Sequence, residues 1–198
     1  EKYLIEKVNY LVKFLTPPFG NKEFKPGYIG SYAPGMRENG GQYTHAAIWG
    51  AIAETILNKP EEAMEIYKMI NPIEHSKTEE QMVKYKVEPY VVEADIYGEN
   101  EFAGRGGWTW YTGSSGWLFT LQTEYILGLK IYHGELKIKP CVPKDWNEFE
   151  VNLKWKNAKY HIKYERKNSG IDNKDGKQEK NNNPVSYTHL TLPTTSRV

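Results

Sequence analysis

The spacing of apolar residues changes near residue 135, and this change limits the folds that the chain can adopt. Upstream, apolar residues in several segments recur with the period of an amphipathic helix. Downstream, apolar and polar residues alternate over 151–155 and 160–164, which indicates antiparallel strands with a hairpin near Asn157. The sequence therefore predicts an α+β protein in which a helical region precedes a β domain.

The helical region consists of segments with helical spacing that long loops separate. The predicted helices cover residues 1–15, 44–57, 61–70 and 115–129. Loops as long as those at 16–35 and about 72–114 are usually functional or disordered when they occur in a compact protein. The first helix has no capping residue before it, so we expect the chain to be part of a longer protein.

The charge and composition of the 198 residues argue against nucleic-acid binding, membrane association and an internal disulfide. The formal net charge is +1, which gives no electrostatic reason to expect binding to nucleic acid or to an anionic membrane surface. No apolar run approaches the roughly 20 residues that span a bilayer. The single cysteine, Cys141, rules out an internal disulfide.

The end of the chain differs in composition from the rest. Residues 168–184 are polar and poor in apolar residues, which predicts a disordered tail. Residues 185–198 share no pattern with the preceding chain and resemble a translated adapter sequence from library preparation, so we assign them no function. The predicted organisation is a helical domain at 1–133, a β domain at 134–167, and these two tail segments.

A segment rich in glycine and tryptophan lies at residues 104–117 and reads GRGGWTWYTGSSGW. Glycine at this density disfavours the interior of a helix or strand, because each glycine there costs about 0.5–1 kcal/mol. A bare backbone among flat aromatic faces and hydroxyl groups suits a sugar and an anion lying side by side. An aromatic core loop whose glycines serve tight turns explains the same composition, and both interpretations remain open.

A second segment with candidate functional residues is RENGGQYTHA, at 37–46. Arg37 and Glu38 precede a glycine pair, and His45 falls at the start of the predicted second helix. The start of a helix offers unpaired N–H groups to an anion, and an arginine and a histidine nearby add charge-assisted donors. Alternatively, Arg37 and Glu38 form an ion pair, and His45 caps or packs the helix.

Three carboxylates lie in the loop segment EPYVVEADIY: Glu88, Glu93 and Asp95. One of them could bind sugar hydroxyls or act as the general acid of a glycosidase. The alternative is solvated loop charge, which the sequence favours for Glu93. Asn71 and His75 lack the spacing of metal ligands, so we expect no metal, and no fingerprint of a nucleotide-binding loop is present.

Several motifs together resemble the β-glycoside phosphorylases of glycoside hydrolase family 94. They occur in a fixed order between about residues 16 and 165, and they are PGMRENGGQYTHAAIW, NPIEH, VEPYVVEADIY, GRGGWTWYTGSSGW, EYILGL and LKIKPCVPKDW. Within the family, the motifs QYTHAA and GRGGWTWYTGS are most similar to the phosphorylase region of cyclic β-1,2-glucan synthases and to 1,2-β-oligoglucan phosphorylases. Cellobiose and chitobiose phosphorylases are more distantly similar.

The resemblance implies the C-terminal part of an (α/α)6 barrel followed by the start of an antiparallel, β-sandwich-like domain. It also implies an inverting reaction in which inorganic phosphate, as co-substrate and with no other cofactor, cleaves a β-glucosidic bond or is released when one forms. Phosphate is already an anionic nucleophile, so a cationic pocket can replace the base that an inverting hydrolase needs. The expected partners are a β-glucoside oligosaccharide, phosphate and a second copy of the parent enzyme. The expected location is cytoplasmic, with membrane attachment if the parent is a cyclic glucan synthase.

Functional residues are carried over by position from the resemblance. Phosphate binding falls to His45, Thr112, Gly113 and Ser114, and the sequence does not decide between the two hydroxyl residues. Sugar binding falls to Arg37 and Glu38, with Asp95, Trp108 and Tyr111 as walls of the sugar subsites.

The general-acid aspartate of the family is expected upstream, because no residue before Arg37 matches its motif. The resemblance therefore assigns no catalytic residue to this chain, which we expect to be inactive alone. One alternative is an inverting (α/α)6 glycoside hydrolase that uses Glu38 or Asp95 as its acid. Another is a sugar-binding helical module without activity.

Overall fold

The computed structural model describes residues 3–20 and 26–166, and the backbone of 185–188. The chain divides into two compact units, Glu1–Pro143 and Lys144–Val198. Helices dominate the first unit and an antiparallel sheet forms the second, so the architecture is α+β, as predicted. In the described part of the chain, no helix combines the length and the apolar character needed to cross a membrane.

The helices of the first unit carry its core. They are α1 (Thr44–Ile56), α2 (Pro60–Ile70), α3 (Glu79–Tyr85) and α4 (Thr112–Thr120), and a π-helical segment, Leu121–Ile126, continues α4. Short 3-10 turns lie at Gly27–Ser31, Glu74–Ser76 and Asn100–Phe102. The positions of α1 and α2 confirm the helices predicted at 44–57 and 61–70.

Helices α1 and α2 pack against each other through small and branched apolar side chains. Ala47, Ile48 and Ala51 of α1 are buried, as are Ala63 and Ile70 of α2. A proline at the first position of α2 is suited to a helix start, because the missing N–H would have no partner there. Helix α1 also packs on α4 and on the π-helical segment, so α1 is the central helix of this unit.

The predicted helix at residues 1–15 is wrong. Two short strands form there instead, β1 (Ile5–Glu6) and β2 (Leu11–Val12), and they pair antiparallel. Leu11 is fully buried in a cluster with Tyr85 and Ile96, which are distant in sequence. The helical spacing was overridden because these contacts and the hairpin bury Leu11 more effectively than an isolated amphipathic helix would.

Two further predictions require correction. The predicted loop at about 72–114 contains α3, whose capping box joins Thr78 and Gln81. The predicted helix at 115–129 begins earlier, at Thr112, and ends before Gly128, a glycine with φ of +71°. Beyond this turn, β5 (Leu129–Tyr132) pairs with β6 (Glu135–Ile138).

One short strand pair in the first unit joins two distant loops. Strand β3 (Gln42–Tyr43) runs directly into α1 and pairs antiparallel with β4 (Asp95–Ile96). The register sets Tyr43 opposite Asp95. The loop before α1 is thereby fixed to the loop before α4.

The described part of the second unit forms an antiparallel sheet. Strand β7 (Glu148–Trp155) and β8 (Ala158–Arg166) form a hairpin whose turn includes Asn157, as predicted. Backbone pairing with β8 adds β9 (Val185–Thr188) to the sheet. The predicted disordered tail at 168–184 and residues 189–198 lie outside the described residues.

Candidate functional site

The candidate site lies where β4 meets the loops that precede α1 and α4. The Ala94 N–H donates to the Trp108 carbonyl at 2.6 Å, and the Gly107 N–H donates to the Asp95 carbonyl at 2.8 Å. The glycine- and tryptophan-rich segment therefore lies along one side of residues 94–95, and β3 lies along the other. This arrangement brings together the two segments that the sequence singled out.

The carboxylate of Asp95 links the two loops. Its Oδ2 accepts a hydrogen bond from the Arg37 N–H at 3.1 Å, and its Oδ1 accepts one from the Trp108 N–H at 3.2 Å. Asp95 is only 2% exposed, and burial raises the pKa of its carboxyl above the ordinary value. A β-carbon at Gly107 would overlap Oδ1, so the backbone can approach this close only because residue 107 is glycine.

Arg37 lies in a cage of aromatic rings. Its guanidinium carbon lies 5.3 Å from the ring centre of Tyr32, 5.5 Å from that of Tyr43 and 5.7 Å from that of Trp108. Its Nε lies 3.6 Å from Oε2 of the buried Glu38, so the predicted ion pair is present. Aromatic rings at these distances stabilise a cation, so they favour this position of the Arg37 guanidinium.

His45 is the second residue of α1, and its half-buried ring faces α4. The ring stacks on Tyr43 with centroids 6.1 Å apart and meets Trp49 edge-on at 4.8 Å. A β-carbon at Gly113 would lie 3.6 Å from His45 Cε1 and 3.7 Å from Nδ1. The structure therefore places His45 directly against the first turn of α4, as well as packing it on α1.

The first turn of α4 presents groups that suit an anion. Helices leave their first N–H groups without intrahelical partners, and their N-terminal end carries partial positive charge. The Thr112 side chain is exposed there. Ser114 is 0% exposed, and its Oγ has no hydrogen-bond partner among the described residues.

The tryptophans of the glycine-rich segment are mostly exposed. Trp108 is 66% exposed and Trp110 is 67% exposed, so an aromatic core loop does not describe these two residues. The Trp108 and Tyr111 rings lie 6.3 Å apart at a tilt of 42°. Only Trp117 packs inward, with its ring 6.1 Å from that of His45.

The interpretation of Glu93 as a solvated loop charge is wrong. Glu93 is 0% exposed and accepts hydrogen bonds from the Tyr85 hydroxyl at 2.5 Å and from the Thr44 hydroxyl at 2.9 Å. Gln42 Nε2 lies 3.4 Å from the same carboxylate. Burial raises the pKa of Glu93 above the ordinary value for a glutamate. Glu88, by contrast, is exposed.

The tyrosines around Arg37 were missed by sequence reasoning. Tyr43 lies two residues before His45 in QYTHA, so the sequence indicates that Tyr43 lies close to the predicted site. Tyr32 lies within a long loop and carries no such signal. In the described ranges, no three histidine, cysteine, aspartate or glutamate side chains converge as a metal centre would require.

Comparison with known families identifies the helical unit. Residues 1–128 match the family model for the glycosyl hydrolase 94 superfamily, catalytic domain. The chain belongs to the glycosyl hydrolase 94 superfamily. Residues 129–180 match a second model, the glycosyl hydrolase family 65, C-terminal domain. All predicted site residues of this family 94 chain, from Arg37 to Ser114, lie inside the first match.

Relatives of this family 94 chain are named as a glucan synthase and as phosphorylases. The chain is 44% identical over 163 residues to the cyclic beta-(1,2)-glucan synthase NdvB of Rhizobium meliloti (strain 1021), a match that covers 82% of the chain. It is 35% identical over 151 residues, or 76% of the chain, to the N,N'-diacetylchitobiose phosphorylase of Vibrio proteolyticus. It is 29% identical over 161 residues, or 78% of the chain, to the solabiose phosphorylase of Paenibacillus borealis.

The family 94 chain spans only part of each relative. The matches cover 6% of the glucan synthase, 18% of the chitobiose phosphorylase and 20% of the solabiose phosphorylase. Most of the length of each relative therefore lies outside the segment that matches this chain.

Proposed function

We propose that this chain is part of an inverting β-glucoside phosphorylase and supplies a phosphate pocket and one side of a sugar site. Membership of the glycosyl hydrolase 94 superfamily and the names of the phosphorylase relatives support this activity. On this proposal, α1, α2 and α4 contribute to an (α/α)6 barrel. The parent enzyme takes a β-glucoside oligosaccharide and inorganic phosphate, needs no other cofactor, and pairs as a homodimer.

The observation that carries the proposal is the position of His45 against the first turn of α4. The imidazole lies within van der Waals reach of Gly113, and the N–H groups of that turn are the natural ligands of an anion. A phosphate between them would receive hydrogen bonds from the ring and from the helix start. Arg37 and Glu38, with Trp108 and Tyr111 beside them, form the adjoining sugar-binding surface.

Exposure favours Thr112 over Ser114 as the hydroxyl that contacts phosphate. The Thr112 side chain is open to solvent at the helix start, whereas Ser114 is fully buried. A phosphate ion arriving from solvent can therefore reach the Thr112 hydroxyl without rearrangement. Ser114 contributes through its backbone N–H.

The reaction that fits these groups is direct displacement at the anomeric carbon. A phosphate oxygen forms the new bond to that carbon while the bond to the leaving sugar oxygen breaks. A carboxylic acid donates a proton to the leaving oxygen, and inversion yields an α-sugar 1-phosphate. That acid is expected upstream of Arg37, in the part of the parent enzyme that this chain does not contain.

A hydrolase that uses acids of this chain is less well supported. Both oxygens of the buried Asp95 already accept backbone N–H groups, so neither is free to reach the oxygen of a glycosidic bond. Glu38 is 6% exposed, and its Oε2 lies 3.6 Å from Arg37 Nε in an ion pair within the protein. Neither carboxyl is arranged as a general acid.

Phosphate dependence is the test. The parent enzyme, incubated with a β-glucoside oligosaccharide, should release sugar 1-phosphate only when inorganic phosphate is added. Hydrolysis at the same rate without phosphate would overturn the proposal. A His45→Ala variant should raise the KM for phosphate, whereas His161→Ala in the second unit serves as a matched control and should not. Residues 1–198 alone should give no turnover, and measurable phosphorolysis by this chain would contradict an upstream acid.

A further inference from the structure

The buried carboxylate of Glu93 connects three separate parts of the first unit. Tyr85 at the end of α3 donates to one carboxylate oxygen, and Thr44 at the start of α1 donates to the other. Gln42 of β3 also reaches the second oxygen, and its own Oε1 accepts the Val12 N–H at 2.9 Å. Glu93 is thus the common acceptor of donors from α3, β3 and α1.

Burying a charged carboxylate is costly unless it is paired with a cation as well as hydrogen-bonded. Among the described residues, the groups that contact the carboxylate are neutral, and no lysine or arginine pairs with it. An apolar side chain of similar volume would fill the space without this cost. A role in fixing the position of its neighbours is therefore a better explanation of Glu93 than stability.

The neighbour most firmly fixed is Thr44. Its hydroxyl donates to Glu93, and its backbone N–H donates to the Ala94 carbonyl at 3.0 Å. Two consecutive residues before β4 therefore hold both the side chain and the backbone of the first residue of α1. The next residue is His45, whose ring must lie against Gly113 if it is to help bind phosphate.

We propose that Glu93 is a positioning residue that, through Thr44, fixes the start of α1 and so sets the His45 ring against the first turn of α4. The inference rests on the proposed function for its consequence in phosphate binding. The positioning itself is a property of the folded chain and can be measured without any ligand.

The first test measures the position of His45 by NMR in the full chain. The His45 Hε1 resonance is sensitive to the ring currents of Trp49 and Tyr43, whose rings lie 4.8 Å and 6.1 Å away. We expect Glu93→Gln and Thr44→Val each to shift this resonance, and we expect the double variant to shift it no further than the larger single change.

Thr55→Val is the matched control. Thr55 is a buried threonine on the same helix, and its hydroxyl donates to the Ile52 carbonyl at 2.7 Å, away from Glu93. It should lower stability and leave the His45 resonance at its wild-type position. If Glu93→Gln lowers stability but leaves the His45 resonance unmoved, the positioning role is wrong. Thr44→Val decides the question if Glu93→Gln does not fold.

The second test uses inorganic phosphate as the probe in the parent enzyme. Glu93→Gln should raise the KM for phosphate about tenfold, which corresponds to about 1.4 kcal/mol, with a smaller effect on the KM for the oligosaccharide. An unchanged phosphate KM in a variant whose His45 resonance has moved would overturn this consequence. If His45→Ala also leaves the phosphate KM unchanged, the proposed function fails, whereas the NMR result still stands as a test of positioning.

Discussion

Asp95 holds the backbone of Arg37 in a left-handed conformation that residues other than glycine rarely adopt. Oδ2 of Asp95 accepts the Arg37 N–H at 3.1 Å, and Arg37 has a φ of +46°. The other oxygen accepts the Trp108 N–H, so one buried carboxylate fixes a residue on each of two loops. The placement of the Arg37 guanidinium beside the Trp108 ring depends on this shared acceptor.

The first prediction concerns Asp95→Asn. The amide must turn its NH2 group toward one of the two backbone N–H donors, so one hydrogen bond is replaced by a clash of donors. We expect a loss of about 1–3 kcal/mol in the free energy of unfolding, measured by denaturant titration. Asp145→Asn, at an exposed aspartate, should change it by less than about 0.5 kcal/mol. Equal effects of the two substitutions would contradict the linking role of Asp95.

The second prediction separates the two hydroxyl residues of α4. Ser114→Ala removes a buried hydroxyl that has no partner in the described structure, so it should leave stability unchanged or raise it by up to about 1 kcal/mol. Thr112→Ala should raise the phosphate KM of the parent enzyme, because it removes the exposed hydroxyl at the helix start. Ser114→Ala should leave that KM close to wild type. The assignment is wrong if the two variants exchange these phenotypes.

The third prediction concerns the close approach at Gly107. A β-carbon there would overlap Asp95 Oδ1, so Gly107→Ala should destabilise the fold by about 1–3 kcal/mol. Gly116 lies within α4 and has open space around it, so Gly116→Ala should instead stabilise by about 0.5–1 kcal/mol. Thermal unfolding followed by circular dichroism distinguishes the two. A neutral Gly107→Ala would mean that Asp95 can move without cost.

The fourth prediction concerns pH and the buried histidine of the first unit. His75 stacks on Tyr85 at 4.7 Å, its Nε2 lies 2.6 Å from the Met69 carbonyl, and burial lowers its pKa. The unfolded chain takes up a proton near pH 6.5 and the folded chain only at lower pH, so His75 makes stability fall as pH drops below about 6.5.

His75→Gln isolates this contribution. Glu93 has a raised pKa and therefore acts in the opposite sense, with stability lost as pH rises from about 4.5, so the informative quantity is the difference between wild type and variant. This difference in unfolding free energy should decrease between pH 7.5 and pH 5.5, as wild type loses the His75 contribution. Replacing the exposed His161 by Gln should leave the pH profile of the first unit unchanged. A difference independent of pH would show that His75 keeps an ordinary pKa.

The sequence predicted those parts of the fold that local contacts determine. Helices α1 and α2 follow their apolar period because each buries one face against the other, and a proline and a turn mark the boundary between them. The first 15 residues have the same period, yet Leu11 is buried by Tyr85 and Ile96, which lie more than 70 residues away in sequence. Local periodicity contains no information about such partners.

For the candidate site too, the sequence predicts the features that local residues determine and misses those that depend on distant ones. The position of His45 at a helix start could be predicted, because the alanine-rich, apolar run that forms α1 begins at Thr44. The burial of Glu93 could not, since its partners Thr44 and Tyr85 come from two other segments. An exposed and a buried carboxylate look the same in a loop sequence. The assignments of phosphate- and sugar-binding residues remain predictions.

The short pairing of β3 with β4 restricts where residues can be inserted into the chain or deleted from it. Tyr43 lies opposite Asp95, and a slip of one residue would place Ala94 or Ile96 where that carboxylate now accepts two backbone N–H groups. Insertions and deletions close to either strand would therefore dismantle the site even if every functional side chain were retained. Loops, tags and reporter domains should be tolerated instead in exposed segments away from this register, such as the turn at Asn157 between β7 and β8.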